Sequence, residues 1–271
     1  MEGCVIAGNS HKIIINFCYD KVVIITNMLA KYKTLHLWMI IPMLFMQFGI
    51  FRDYWGDLTD NAWSVHVHYW TGTVWYFYLI IQPYYATHGQ LARHRTNGII
   101  GMFIAGAVCL TALSMMHRDI VSAERSATMR EQFGPFEPWF FIGVAAVEIP
   151  MMVAFGFAVI KSIIHRKELE NHSWWLISTV FMIMMPALGR GIQIVHVGMQ
   201  SKNWPNVEIM PSLYFTEGVI ISMLLFFAWK YGKLKHPATW LALAVNVFNL
   251  FLEPIGRSES VQLFLKALIK G

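Results

Sequence analysis

The chain has 271 residues, 56% of them hydrophobic, 15% aromatic and only 14% charged, with a mean hydropathy of +0.47. Soluble domains carry about 25% charged residues, so this deficit excludes an ordinary soluble globule and points to a bilayer. The net charge of +5 comes mostly from basic residues flanking apolar runs, and it gives no reason to expect a nucleic-acid partner.

In chain order, residues 1–27 are expected to be peripheral. The run 12–27 is broken by Asp20 and Lys21, no small-residue cleavage site follows, and Met28 would serve as a natural start. Apolar spans follow at 35–51, 63–87, 97–116, 139–163, 174–196, 212–229 and 239–252. A helical crossing takes about 20 residues, so most qualify, while the last is short and interrupted by Asn246 and Asn249. The fold class is therefore all-α, a membrane bundle of about seven helices over residues 28–256. A tail over 257–271 sets Val261, Leu263, Phe264, Leu265, Leu268 and Ile269 among polar residues, as an amphipathic helix along the outer interface would. The connection 118–138 is expected to be a loop carrying a short surface helix near 123–132.

Ten basic residues flank one side: Lys31, Lys33, Arg93, Arg95, Lys161, Arg166, Lys167, Lys230, Lys233 and Lys235. Five lie on the other, Arg52, Arg118, Arg125, Arg130 and Lys202. The positive-inside rule puts the N-terminus in and the C-terminus out, as in a bacterial inner membrane. The three cysteines, Cys4, Cys18 and Cys109, form no disulfide framework.

Polar residues inside apolar spans carry the functional argument. A charge at membrane depth costs several kcal/mol unless it is paired or lines a cavity. Glu148 lies near the middle of the fourth span, Arg190 deep in the fifth beyond Pro186, and Glu217 in the sixth; Arg190 is expected to pair with one of these carboxylates. His68, His117 and His196 collect at the outer level, and His94 and His172 at the cytoplasmic level. His68, Gly72, Trp75, Leu79 and Gln82 fall on one helical stripe, where Gly72 either leaves room for a flat group beside His68 or permits close helix packing. The small residues Gly98, Gly101, Ala105, Cys109 and Ala112 form a face of the third helix expected to serve packing, and the methionines of the fourth and fifth helices are expected to do the same. The chain contains no phosphate loop, His-Glu-x-x-His, Gly-x-Ser-x-Gly or Cys-x-x-Cys motif.

His94-Arg95 followed by Gly98 and Gly101, the junction Glu170-Asn171-His172-Ser173-Trp174-Trp175, and Arg190 resemble the bacterial polytopic membrane proteins called domain of unknown function 2306. The likeness covers roughly residues 60–230 and departs at Ile99, where the group is expected to carry arginine. It implies a fold class and no reaction, because the group has no established activity.

Three functions compete. Haem-linked membrane redox would use haem b between facing imidazoles from among His68, His117 and His196, with Arg118 or Arg190 near the propionates, and a second haem on His94 and His172. Glu148 and Glu217 would then serve proton chemistry with a quinone or other redox partner. A metal-dependent lipid hydrolase, similar to the ceramidase and adiponectin-receptor superfamily in Ser64-x-x-x-His68, would place zinc on His68, His117 and His196 with Glu217 as base. That superfamily has a His-x-x-x-His pair in its last helix, which this chain lacks. A proton-coupled transporter or a non-catalytic subunit would use paired charges beside a proline-broken helix.

Overall fold

A computed structural model describes residues 30–59 and 61–270, and every regular element among them is helical. The expected peripheral segment 1–27, with Cys4 and Cys18, lies outside the described residues. The helices are α1 (Ala30–Trp55), α2 (Trp63–Thr87), α3 (Leu91–Thr128), α4 (Pro138–Ile164), α5 (Leu169–Met199), α6 (Met210–Lys230), α7 (Pro237–Asn249), α8 (Leu252–Arg257) and α9 (Glu259–Lys270). Five of them, α1, α3, α4, α5 and α6, are long and apolar enough to cross a membrane. α2 has the length, 25 residues, but its many tyrosines, tryptophans and histidines make it less apolar. α7 is only 13 residues, about 20 Å at 1.5 Å per residue, short of the hydrocarbon thickness.

α4 is the centre of the bundle and packs on α3, α5 and α8, while α2 packs on α3 and the second half of α5 packs on α1. α3 departs from the expected boundaries. No proline or glycine interrupts the chain between Cys109 and Met129, so the helix runs on through Arg118 to Thr128, and the surface helix expected near 123–132 is divided between this continuation and a separate helical turn, Arg130–Phe133. After that turn Gly134, at a φ of 56°, and Pro135 bring the chain back into α4.

α5 is interrupted in mid-bundle, as its Pro186 predicts: one half is Leu169–Met182 and the other Met185–Met199. Proline has no N–H to offer the carbonyl four residues back, so the ladder must break here. Other elements supply partners: Tyr76 Oη donates to the Val180 carbonyl at 3.0 Å, and Asn246 Nδ2 donates to the Phe181 carbonyl at 3.0 Å. One of the two asparagines that interrupt α7 in the sequence, Asn246, thus completes the backbone of α5.

At one end of the bundle, Glu170 forms ion pairs with Lys233 and Lys31, and Tyr32 stacks on Tyr231. This end also carries His94 and His172, and we call it the lower end; the end carrying Asp53, His66 and Arg118 is the upper end. The tail is helical as expected. Leu265 is buried in a small cluster with Met116, Ile120, Ala123, Ile142 and Ala145, while Leu263, Phe264 and Leu268 stay exposed.

Candidate functional site

Two sites come together, a polar chamber in the upper half and a groove at the lower end. The chamber begins with a close crossing of α1 and α5. A Cβ on Gly191 would stand 2.7 Å from the Gly49 Cα, so only glycine permits this approach. One turn beyond Gly49, α1 winds into the π-helical turn Phe51–Trp55, and this brings Asp53 to Arg190. Arg190 Nη1 donates to Asp53 Oδ2 at 2.8 Å, and Tyr69 Oη donates to the same oxygen at 2.9 Å. The Tyr69 ring stacks on Tyr54 at 4.4 Å, and Tyr54 Oη lies 2.9 Å from His66 Nδ1. Two aromatic rings therefore hold the acceptor side of the ion pair from α1 and α2.

Arg190 was expected to pair with Glu148 or Glu217, and it does neither. A membrane-depth count of carboxylates overlooks Asp53, which the first span's apparent end at Phe51 assigns to a loop. Glu217 lies away from Arg190 and accepts from Asn249 Nδ2 at 2.9 Å. Glu148 is 5% exposed, and its Oε2 has no hydrogen-bond partner among the described residues. It lines a cavity of about 90 Å³ together with His68, Gly72, Asp119 and Arg190. A second cavity, of about 250 Å³, adjoins it and is walled by Asp53, Arg118, Asp119, Arg190 and Gln193 on its polar side. Phe136, Phe140, Phe141 and Leu213 wall its apolar side.

His68 lies within hydrogen-bond distance of Thr111 Oγ1, 3.2 Å from Nδ1. Nothing stands within 4 Å of a Cβ placed on Gly72, so the room beside His68 is real and Gly72 does not serve helix packing. The other outer histidines are elsewhere. His117 is exposed on α3, and His196 Nε2 donates to the Glu208 carbonyl at 2.7 Å, in the connection to α6. His68, His117 and His196 therefore make neither the expected haem site nor the expected zinc site. No group of three metal-ligating side chains exists among the described residues.

The lower groove gathers the other expected pair. His94, in the first turn of α3, and His172, in the first turn of α5, face each other with ring centres 6.1 Å apart and planes at 87°. His172 Nδ1 is 2.9 Å from the Ser162 carbonyl, which can only accept, so the proton sits on Nδ1 and Nε2 is left free. His94 Nδ1 is buried without a partner among the described residues. The groove holds about 750 Å³ and is walled by Trp75, Tyr78, Gly98, Met102 and Leu176, with Arg95, Arg166 and Lys167 at its rim. Gly98 leaves open space one turn above His94, whereas Gly101 is filled by the Tyr78 ring. The small face of α3 is thus divided between packing and groove. Two helix N-termini and three basic side chains make this end a favourable place for carboxylates.

Sequence reasoning missed Asp53, Tyr69, Thr111 and Asp119. Asp119 stands beside the two residues singled out at the end of the third span, and its place one turn beyond Met115 on the buried face is the signal that would have found it. The chain matches no family model, no curated protein and no solved structure.

Proposed function

We propose that this is a haem-linked redox protein of the bacterial inner membrane. In this reading seven helices cross the bilayer, with the N-terminus in, the C-terminus out and the groove on the cytoplasmic side. The observation that carries the proposal is the facing of His94 and His172 across an apolar groove. Two imidazoles bonded through nitrogen to one metal ion at about 2.0–2.1 Å each place their ring centres roughly 6 Å apart, close to the 6.1 Å between these rings. The groove's 750 Å³ lies within the range of about 300–1,000 Å³ usual for cofactor sites.

Haem b bound here would supply one-electron chemistry. His94 and His172 would hold it, and the basic side chains of Arg95, Arg166 and Lys167 would meet its carboxylates. The bond from His172 Nδ1 to Ser162 fixes the tautomer a metal ligand requires, since the second ring nitrogen normally donates to a carbonyl or carboxylate.

A reduced-minus-oxidised absorption spectrum of the detergent-purified protein from haem-replete cells tests this. Soret and alpha bands are expected in the parent, lost in His94→Ala and His172→Ala and retained in His117→Ala and His196→Ala. A featureless parent spectrum, or bands surviving both lower-end substitutions, would overturn it. The interrupted α5 beside unpartnered Glu148 favours a proton-coupled carrier as the second reading, with Glu148-dependent uptake and no haem.

A further inference from the structure

The chamber walls carry charges of both signs. Asp119, Glu148, Arg118 and the Asp53–Arg190 pair line two cavities that share Asp119, Val144, Pro186 and Arg190 as a common wall. A cationic ligand meets two guanidinium groups here, and an anionic one meets three carboxylates. The occupant that satisfies both is neutral and carries its own hydrogen-bond donors and acceptors. Glu148 Oε2, buried and without a partner, requires a donor. A guanidinium has five N–H donors, and one of those on Arg190 bonds Asp53, so Arg190 has others for an acceptor oxygen. Met115, Met151, Phe140 and Phe141 add apolar and aromatic wall that suits a flat ring, beside the neutral polar Thr111, Ser122 and Gln193. The space beside Gly72 extends the cavity next to His68.

The geometry points to this chamber as the binding site of a lipid-borne quinol, with Glu148 and Asp119 as the acceptors of its hydroxyl protons. This assignment rests on the redox reading for its electron acceptor. Trp75 and Tyr76 are consecutive on α2, and the first walls the groove while the second walls the chamber. Electrons leaving a ring in the chamber therefore have an aromatic layer between them and the groove. In the reaction both quinol O–H bonds break and both ring C–O bonds become C=O. The two protons pass to the carboxylates of Glu148 and Asp119 and leave by the Arg118 side of the chamber. The two electrons reduce two equivalents of ferric haem to ferrous haem, so that one quinol and two ferric haems give one quinone, two protons and two ferrous haems.

The test uses the full-length haem-loaded protein, anaerobically, with duroquinol as the probe. Duroquinol is expected to reduce two haems per molecule. Glu148→Gln should slow that reduction at least tenfold while dithionite still reduces its haem fully, and Gly72→Leu, which fills the space without touching a charge, should do the same. Haem that dithionite reduces but duroquinol does not, or an unchanged rate in both variants, overturns the quinol site and leaves the haem proposal intact. If the purified protein carries no haem, the redox reading fails separately and calorimetric titration with duroquinol decides the site. Binding in the parent that is lost in both variants supports the site, and absence of binding overturns it.

Discussion

Removing the Arg190 guanidinium strands Asp53 in the wall of a chamber, and removing the carboxylate strands Arg190. Breaking a fully buried ion pair costs about 3–5 kcal/mol. Here the two side chains keep 28% and 33% of their surface accessible, so about 2 kcal/mol is the expected loss for Arg190→Ala. Asp53→Asn should lose less, because the amide still accepts from Tyr69 and Arg190. Unfolding midpoints of the detergent-purified variants check both, and an Arg190→Ala protein as stable as the parent would remove the pair from the account of the fold. At this scale the sequence was legible in part. Arg190 and Glu148 stand out because apolar neighbours make a charge conspicuous, and both do line the chamber. Asp53 was hidden because a π-helical turn extends α1 beyond its apolar run. The lower pair was visible as two histidines at two helix starts, but nothing in their spacing specifies that the helices bring them to 6.1 Å.

Two elements owe their form to what their neighbours provide. α5 is broken by Pro186, and Asn246 of α7 holds the freed, buried Phe181 carbonyl. Replacing Asn246 with leucine leaves that buried carbonyl unpaired, at about 1–3 kcal/mol. Thermal unfolding should show the loss, and faster hydrogen exchange around residues 183–188 should locate it at the break. The crossing of α1 with α5 depends on Gly49 and Gly191. Gly191→Leu should separate the helices and abolish the Asp53–Arg190 contact. In a double-mutant cycle with Asp53→Asn, Asp53→Asn should then cost almost nothing in the Gly191→Leu background. Helix content was legible from hydropathy, and the break in α5 from its proline. The length of α3 was not, because hydropathy ends where charge begins, while good helix formers carry the helix past that point to Thr128.

For the molecule as a whole, one pH response can be assigned outside the spans. His236 caps α7 with its Nδ1 accepting from the Ala238 N–H at 3.1 Å, while Nε2 donates to Asn171 Oδ1 at 3.1 Å, a pattern only the neutral ring can make. Burial pushes its pKa down from 6.5 to about 4, and Lys233 adds to the shift. The unfolded chain therefore binds a proton that the folded one refuses. Stability from this group is complete above pH 6.5 and is lost progressively as pH falls from there towards 4. Urea or SDS titrations of the parent between those limits should show the decline, and His236→Asn should flatten it.

One helix reaches both sites. His94 at the foot of α3 faces the groove, and Asp119, twenty-five positions on, faces the chamber, about 37 Å away at the rise of an α-helix. The stretch between them contains no proline, and its glycines lie in its lower half. Such a rod does not shorten or fold under load, so a small axial slide imposed where His94 sits arrives at Asp119 at nearly full size. A displacement of α3 along its axis would therefore move the wall of the groove and the wall of the chamber together.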